Sequence, residues 1–167
     1  MALVAGITTT WAAGLPGRRA NTDVSGVRTI ALRSTTELTA GRVVIRGASD
    51  GLCALPSGSA GSVMGIALYN PAVDPRRRSD PTNDLLIPAA DTPTNVLRRG
   101  TVYMIAEDAV TQGAPVYYRH TTPGAAPQAL GAVRSDTDSG KATLLVGAVF
   151  ASSAASGAVV AVEVNFP

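Results

Sequence analysis

The stretch VLRRGTVYMIAEDAVTQGAPVYYR, residues 96–119, decides the fold. Gly100 releases the chain into Thr101-Val102-Tyr103-Met104-Ile105, a run of β-branched and aromatic residues suited to a pleated surface. Thr111-Gln112-Gly113 then makes a turn, and Val116-Tyr117-Tyr118 resumes the strand pattern. Three arginines and three tyrosines crowd these 24 positions, which raises the choice between a catalytic site and a contact surface. A period of two puts Tyr117 and Tyr118 on opposite faces, so at least one of them packs or meets another subunit. Glu107 and Asp108 read most simply as the polar shoulder of the connection, and Arg119 as an edge contact.

Outward from there the same device recurs. TAGRVVI, RRGTVYM, TQGAPVYY and ASGAVVAV each set a glycine just before a β-rich run, at spacings too irregular for a solenoid. The clearest strand is the last: Val160, Val162, Val164 and Phe166 share one face, with Ala161, Glu163 and Asn165 on the other. VRTIALR and GRVVIRG also alternate, but neither has a cleanly apolar and a cleanly polar side. Further strands are expected at LCAL, VMGIALY, around 129–133 and in KATLLVGAVF, with turns at ASDG, PSGSAGS, DTDSG and ASSAASG. Seventeen glycines and eleven prolines disfavour long helices, and 4 % aromatic content leaves Val, Leu, Ile and Ala to build the core.

At 167 residues the chain fits one domain, or one domain with an arm, and buries roughly 70 % of its extended surface on folding. Its single cysteine, Cys53, permits no intrachain disulfide and no multi-cysteine zinc site. The N-terminal residues lack both the basic start of a signal peptide and an apolar run long enough to span a bilayer, so a soluble protein with no membrane partner is expected. A net charge of +2 supports no specific nucleic-acid partner.

Two segments depart from the strand pattern. Residues 1–24 show no sustained period and read as an extended arm or irregular first strand, carrying Trp11 and the pair Arg18-Arg19. Residues 70–95 contain five prolines and the triplet Arg76-Arg77-Arg78, and read as a long surface loop with a short strand or turn near 85–87. Arginine makes rigid bidentate contacts with carboxylates, and acids interspersed among these arginines argue for protein contact over a phosphate track.

Chemistry is scarce. His120 is the only histidine and sits where a strand ends; Cys53 reads as a small packing hydrophobe. No HExxH helix, Cys-His set or GxSxG elbow can be assembled. Asp136 and Asp138 in DTDSG lack the remaining ligands of a calcium loop and read as turn formers, so no metal, cofactor or catalytic residue is expected.

The order of TELTAGRVVIRG, GSVMGIALYN, the opening stretch and GAVVAVEVN resembles the structural cement, or capsid decoration, proteins of tailed bacteriophages, over about residues 23–166. RRGTVYM followed by AVTQGAPVYY looks like that family's core motif. The resemblance implies an all-β, compact jelly-roll-like barrel or sandwich, or a β-tulip-like fold, spanning residues 25–167 with the arm at 1–24. It implies a non-enzymatic homodimer or homotrimer on the outer surface of the virion capsid, made in the bacterial host cytoplasm, which binds and bridges major capsid proteins. Expected capsid or subunit contacts are Trp11, Arg18, Arg19, Arg76, Arg77, Arg78, Arg98, Arg99, Tyr103 and Tyr118. The competing reading is a phage receptor- or carbohydrate-binding β-module that uses Tyr69, Tyr103, Tyr117 and Tyr118 as stacking faces.

Overall fold

A computed structural model describes residues 14, 16–20, 27–34, 38–58, 61–69, 86–87, 93–121 and 124–167. Trp11, Arg76, Arg77, Arg78 and most of the segments expected as arm and long loop lie outside them. The regular structure of the described residues is almost all strand: β1 (Arg28–Ser34), β2 (Leu38–Thr39), β3 (Val43–Arg46), β4 (Leu52–Ala54), β5 (Val63–Ala67), β6 (Leu86–Ile87), β7 (Pro93–Ile105), β8 (Pro115–Arg119), β9 (Val133–Arg134), β10 (Ala142–Phe150) and β11 (Val159–Asn165). Among the described residues a 3-10 turn, Asp138–Gly140, interrupts the pattern between β9 and β10.

The expected all-β barrel is present, and its closure can be followed strand by strand. β1 pairs with β4 in parallel; β4 with β3, β3 with β5, β5 with β7 and β7 with β1 are antiparallel, so five strands close on themselves. The far half of β7 then starts a second series, β7-β11-β10-β8-β9. This series also curls back, because Ala106, just past β7, bridges Val133 of β9. Closure of this kind removes the exposed edges that make open sheets prone to aggregate.

β7 can serve both series because it is long, at 13 residues. Its first half pairs with β1 and β5, and its second half, from Arg99 to Ile105, pairs with β11. β5 approaches it closely at Gly65, where φ is +145° and an added Cβ would stand 2.2 Å from the Leu97 carbonyl oxygen. Only glycine combines that backbone geometry with that proximity.

The sheet separates two apolar cores. Leu32, Leu38, Ala40, Val44, Cys53, Ala67 and Val96 form one cluster, while Val43, Ile66, Leu97, Val102, Met104, Phe150, Val162 and their neighbours form the other. Successive residues therefore go to opposite sides: Val43 and Val44, Ile66 and Ala67, Val96 and Leu97, all 0 % exposed. The mixed faces read from GRVVIRG have this cause, since a strand covered on both sides has no polar face. Each fully buried aliphatic side chain contributes about 1.5–3 kcal/mol of transfer free energy, so both cores matter to stability. On β11, Val160, Val162, Val164 and the following Phe166 are all buried, as their alternation predicts.

Candidate functional site

Three features stand out on this framework: a docked N-terminal segment, a buried charge network, and an exposed apolar sheet face.

Residues 16–20 lie along β7 and bond to its backbone. The Gly17 amide donates to the Tyr103 carbonyl (2.8 Å), the Tyr103 amide to Arg18 (2.9 Å) and the Ala20 amide to Thr101 (2.9 Å). Gly14 lies flat on the Tyr103 ring, where an added Cβ would fall 2.0 Å from ring carbons. The Arg18 guanidinium stands 5.3 Å from the Tyr69 ring centroid, a cation–π contact worth about 0.5–1 kcal/mol at an exposed position. Arg19 borders a polar groove of about 430 Å³ with Val27, Thr29, Leu68, Tyr69 and Asn95. Arg18, Arg19 and Tyr103 are thus brought together, whereas Arg98 and Arg99 sit farther down β7. Arg98 is half-buried, with an Nε that has no hydrogen-bond partner among the described residues, and Arg99 is exposed.

Tyr118 is 2 % exposed and packs in the larger core, so its ring serves the fold, and burial pushes its phenol pKa up. None of the four tyrosines is exposed, since Tyr69, Tyr103 and Tyr117 are half-buried.

The polar shoulder assigned to Glu107, and the edge contact assigned to Arg119, are corrected by the structure. Both side chains are 1 % exposed and ion-paired. Arg119 Nε donates to both Glu107 oxygens, at 2.8 and 2.9 Å, and Arg119 also reaches Asp138 at 2.6 Å. Arg134 adds contacts to Glu107 (3.2 Å), Asp138 (3.1 Å) and Asp136 (2.7 Å). The Ala129 amide donates to Glu107 Oε1 at 2.9 Å, and Ser135 Oγ donates to Asp108 at 2.6 Å. Hydrogen bonding to Glu107 raises the Arg119 pKa, and hydrogen bonding from Arg119 lowers that of Asp138. Asp136 and Asp138 are turn formers, as read, but they also clamp two arginines. The cluster ties β8, β9 and both flanking turns together, and its charges are spent on one another. Among the described residues no group of three or more His, Cys, Asp or Glu is placed to hold a metal ion. Cys53 is wholly buried, and burial pushes its thiol up to about 11.

The exposed apolar face belongs to β10. Leu144, Val146 and Val149 are 45 %, 76 % and 43 % exposed, while Leu145 and Ala148 between them and Phe150 after them are buried. Leu144 and Val146 also border a shallow groove of about 380 Å³ with Gly61, Val63, Tyr118, Thr143, Phe166 and Pro167. This face was missed in the sequence, although TLLVGAV offered a signal in carrying apolar residues at both parities.

Among the described residues, none of these three features is an enclosed site with reactive groups. A family model described as Structural cement protein (E217 gp24/Pam3 gp6) matches residues 5–165. A chain from the capsid of Myoviridae phage XM1 superposes with a TM-score of 0.71 at 18 % identity, covering 99 % of this chain and 98 % of that one. The N base of head fiber gp8.5 of bacteriophage phi29 aligns at a TM-score of 0.47 and 13 % identity, over 83 % and 94 % of the two chains. No curated protein matches the chain in sequence.

Proposed function

The chain belongs to the phage structural cement protein family, and from that premise we propose that it binds the outer surface of the phage head as a homo-oligomer and bridges adjacent major capsid proteins. A structural role in the phage capsid follows from membership itself. The observation that carries the finer reading is the family match across residues 5–165, which takes in the described barrel and the arginine-bearing stretches of the sequence at 18–19 and 76–78.

The physical properties fit. A cement must transmit load between capsid subunits without deforming, and a closed barrel with a core on each side of its sheet and a buried ion network is stiff. Single interfaces of standard size bury on the order of 1,600 Å², yet area alone sets no affinity. Repetition over a lattice multiplies a modest contact through effective concentration. Arg18, Arg19, Arg98, Arg99 and the triplet Arg76, Arg77, Arg78, together with Trp11, are the contacts proposed to face capsid or neighbouring subunits. Synthesis in the host cytoplasm and attachment from outside the head belong to the same proposal.

Purified undecorated capsids test it. The full chain should bind and raise the temperature of shell disruption. Deletion of residues 1–13, which leaves the segment docked on β7 intact, and replacement of Arg76, Arg77 and Arg78 by alanine should each cut occupancy severalfold. Failure of the full chain to bind would refute the capsid role; unchanged occupancy in both variants would refute these contacts.

A further inference from the structure

The charges of Glu107, Arg119, Arg134 and Asp138 are spent on one another, but a second group of polar side chains is left unspent. Arg19, Thr29, Tyr69 and Asn95 converge on a groove of about 430 Å³ floored by Val27 and Leu68. That size lies within the roughly 300–1,000 Å³ usual for ligand sites. Arg19, Thr29 and Asn95 are exposed, and none of these three side chains makes a hydrogen bond or an ion pair among the described residues.

The walls of the groove come from separate pieces of chain, each held by backbone bonds. Segment 16–20 carries Arg19 and is pinned on both sides: the Gly17 amide donates to the Tyr103 carbonyl (2.8 Å), and the Gly17 carbonyl accepts from the Tyr69 amide (3.0 Å). β1 supplies Thr29, opposite Leu97 of β7, and β7 supplies Asn95, whose carbonyl accepts from the Leu68 amide at 2.8 Å. Groups held in place before a ligand arrives lose little freedom on binding. Segment 16–20, β1 and β7 also carry six arginines, Arg18, Arg19, Arg28, Arg33, Arg98 and Arg99, and no aspartate or glutamate. The field over the groove is therefore positive and selects an anion.

We propose that this groove binds the carboxylate of an acidic side chain, a glutamate by preference, presented by the major capsid protein. The chemistry narrows the choice of anion. Among the described residues one guanidinium, that of Arg19, lines the groove, which matches the single negative charge of a carboxylate and would leave a phosphate dianion half neutralised. The Thr29 hydroxyl and the Asn95 amide supply donors for the remaining lone pairs of the carboxylate oxygens. Beneath them Val27 and Leu68 offer aliphatic surface to the methylene groups of a glutamate stem, which a polyhydroxylated sugar would not use. Tyr69 closes one side, and the Arg18 guanidinium 5.3 Å from its ring centroid holds it there.

The identity of the partner rests on the capsid-binding reading, whereas the groove itself is testable without capsids. In amide-resolved NMR spectra of the full chain, the peptide acetyl-Ala-Glu-Ala-amide should shift the resonances of Arg19, Thr29 and Asn95, and acetyl-Ala-Gln-Ala-amide should not. Arg19→Gln and Asn95→Leu should each weaken binding of the glutamate peptide by about tenfold, while unchanged resonances elsewhere report an intact fold. On undecorated capsids the same two variants should lower occupancy severalfold at fixed concentration. Arg46→Gln, which removes an exposed arginine outside the groove, should leave occupancy within about twofold. Equal response to the two peptides, tighter binding of inorganic phosphate or glucuronate than of the glutamate peptide, or capsid occupancy unchanged in Arg19→Gln and Asn95→Leu would each overturn the proposal. A full chain that fails to bind capsids refutes the capsid role, and the peptide titrations then decide the groove on their own.

Discussion

Replacing Glu107 with glutamine keeps the shape of the side chain and deletes the charge on which two arginines converge. Glu107 accepts from Arg119 Nε at 2.8 and 2.9 Å, from Arg134 at 3.2 Å and from the Ala129 amide at 2.9 Å, with its side chain 1 % exposed. An amide keeps one acceptor and turns its NH2 group toward guanidinium donors, so at least one buried N–H loses its partner. Breaking a buried pair from one side costs about 3–5 kcal/mol. Asp138 still holds both arginines, which places the expected loss near the lower end, about 3 kcal/mol. That is a large share of the roughly 5–15 kcal/mol that keeps a domain folded. Urea unfolding followed by far-ultraviolet circular dichroism measures it: with a slope near 2 kcal/mol per molar, the midpoint should fall by about 1.5 M at unchanged slope. The exposed pair Arg46–Asp50, with side chains 60 % and 90 % accessible, is the internal control, and Asp50→Asn should cost under about 0.5 kcal/mol. A Glu107→Gln loss no larger than that of the control would refute the view that the network holds β8 and β9 to the barrel.

Two further outcomes follow from the same structure. The Asp138 pKa lies below its ordinary 3.8 because Arg119 donates to it, so its stabilisation is complete above about pH 4 and is lost as pH falls through the depressed folded value; Asp138→Asn should therefore flatten the acid limb of a stability–pH profile and leave its shape near neutrality unchanged. Gly65→Ala would place a methyl group 2.2 Å from the Leu97 carbonyl at a φ of +145°, and should cost about 3 kcal/mol in thermal or urea unfolding; a neutral effect would mean that β5 and β7 are not in close contact.

The strands were legible because their boundaries are local: a glycine turn, then alternating or β-branched residues, as at Gly100 and again at Gly157. The all-β class followed from that rhythm, whereas the choice between barrel and sandwich did not. What it left hidden depends on closure. The mixed faces of β3 make sense only once β7 is known to carry a core on both sides, which places Val96 and Leu97 in different clusters. Glu107 and Arg119 looked like surface charges because their other partners, Arg134 and Asp138, arrive from β9 and the turn beyond it, 27 and 31 positions from Glu107. No local pattern announces a burial created by three separate segments. The tyrosines show the converse: alternation placed Tyr117 and Tyr118 on opposite faces, and the structure buries the second while leaving the first partly open.

The central claim is that this protein bridges capsid subunits, and imaging the decorated phage head by electron microscopy tests it most directly. The account predicts copies of the chain on the outer surface at regular lattice positions, each touching at least two major capsid proteins. Copies confined to the tail or the interior, or each resting on a single capsid subunit, would contradict it.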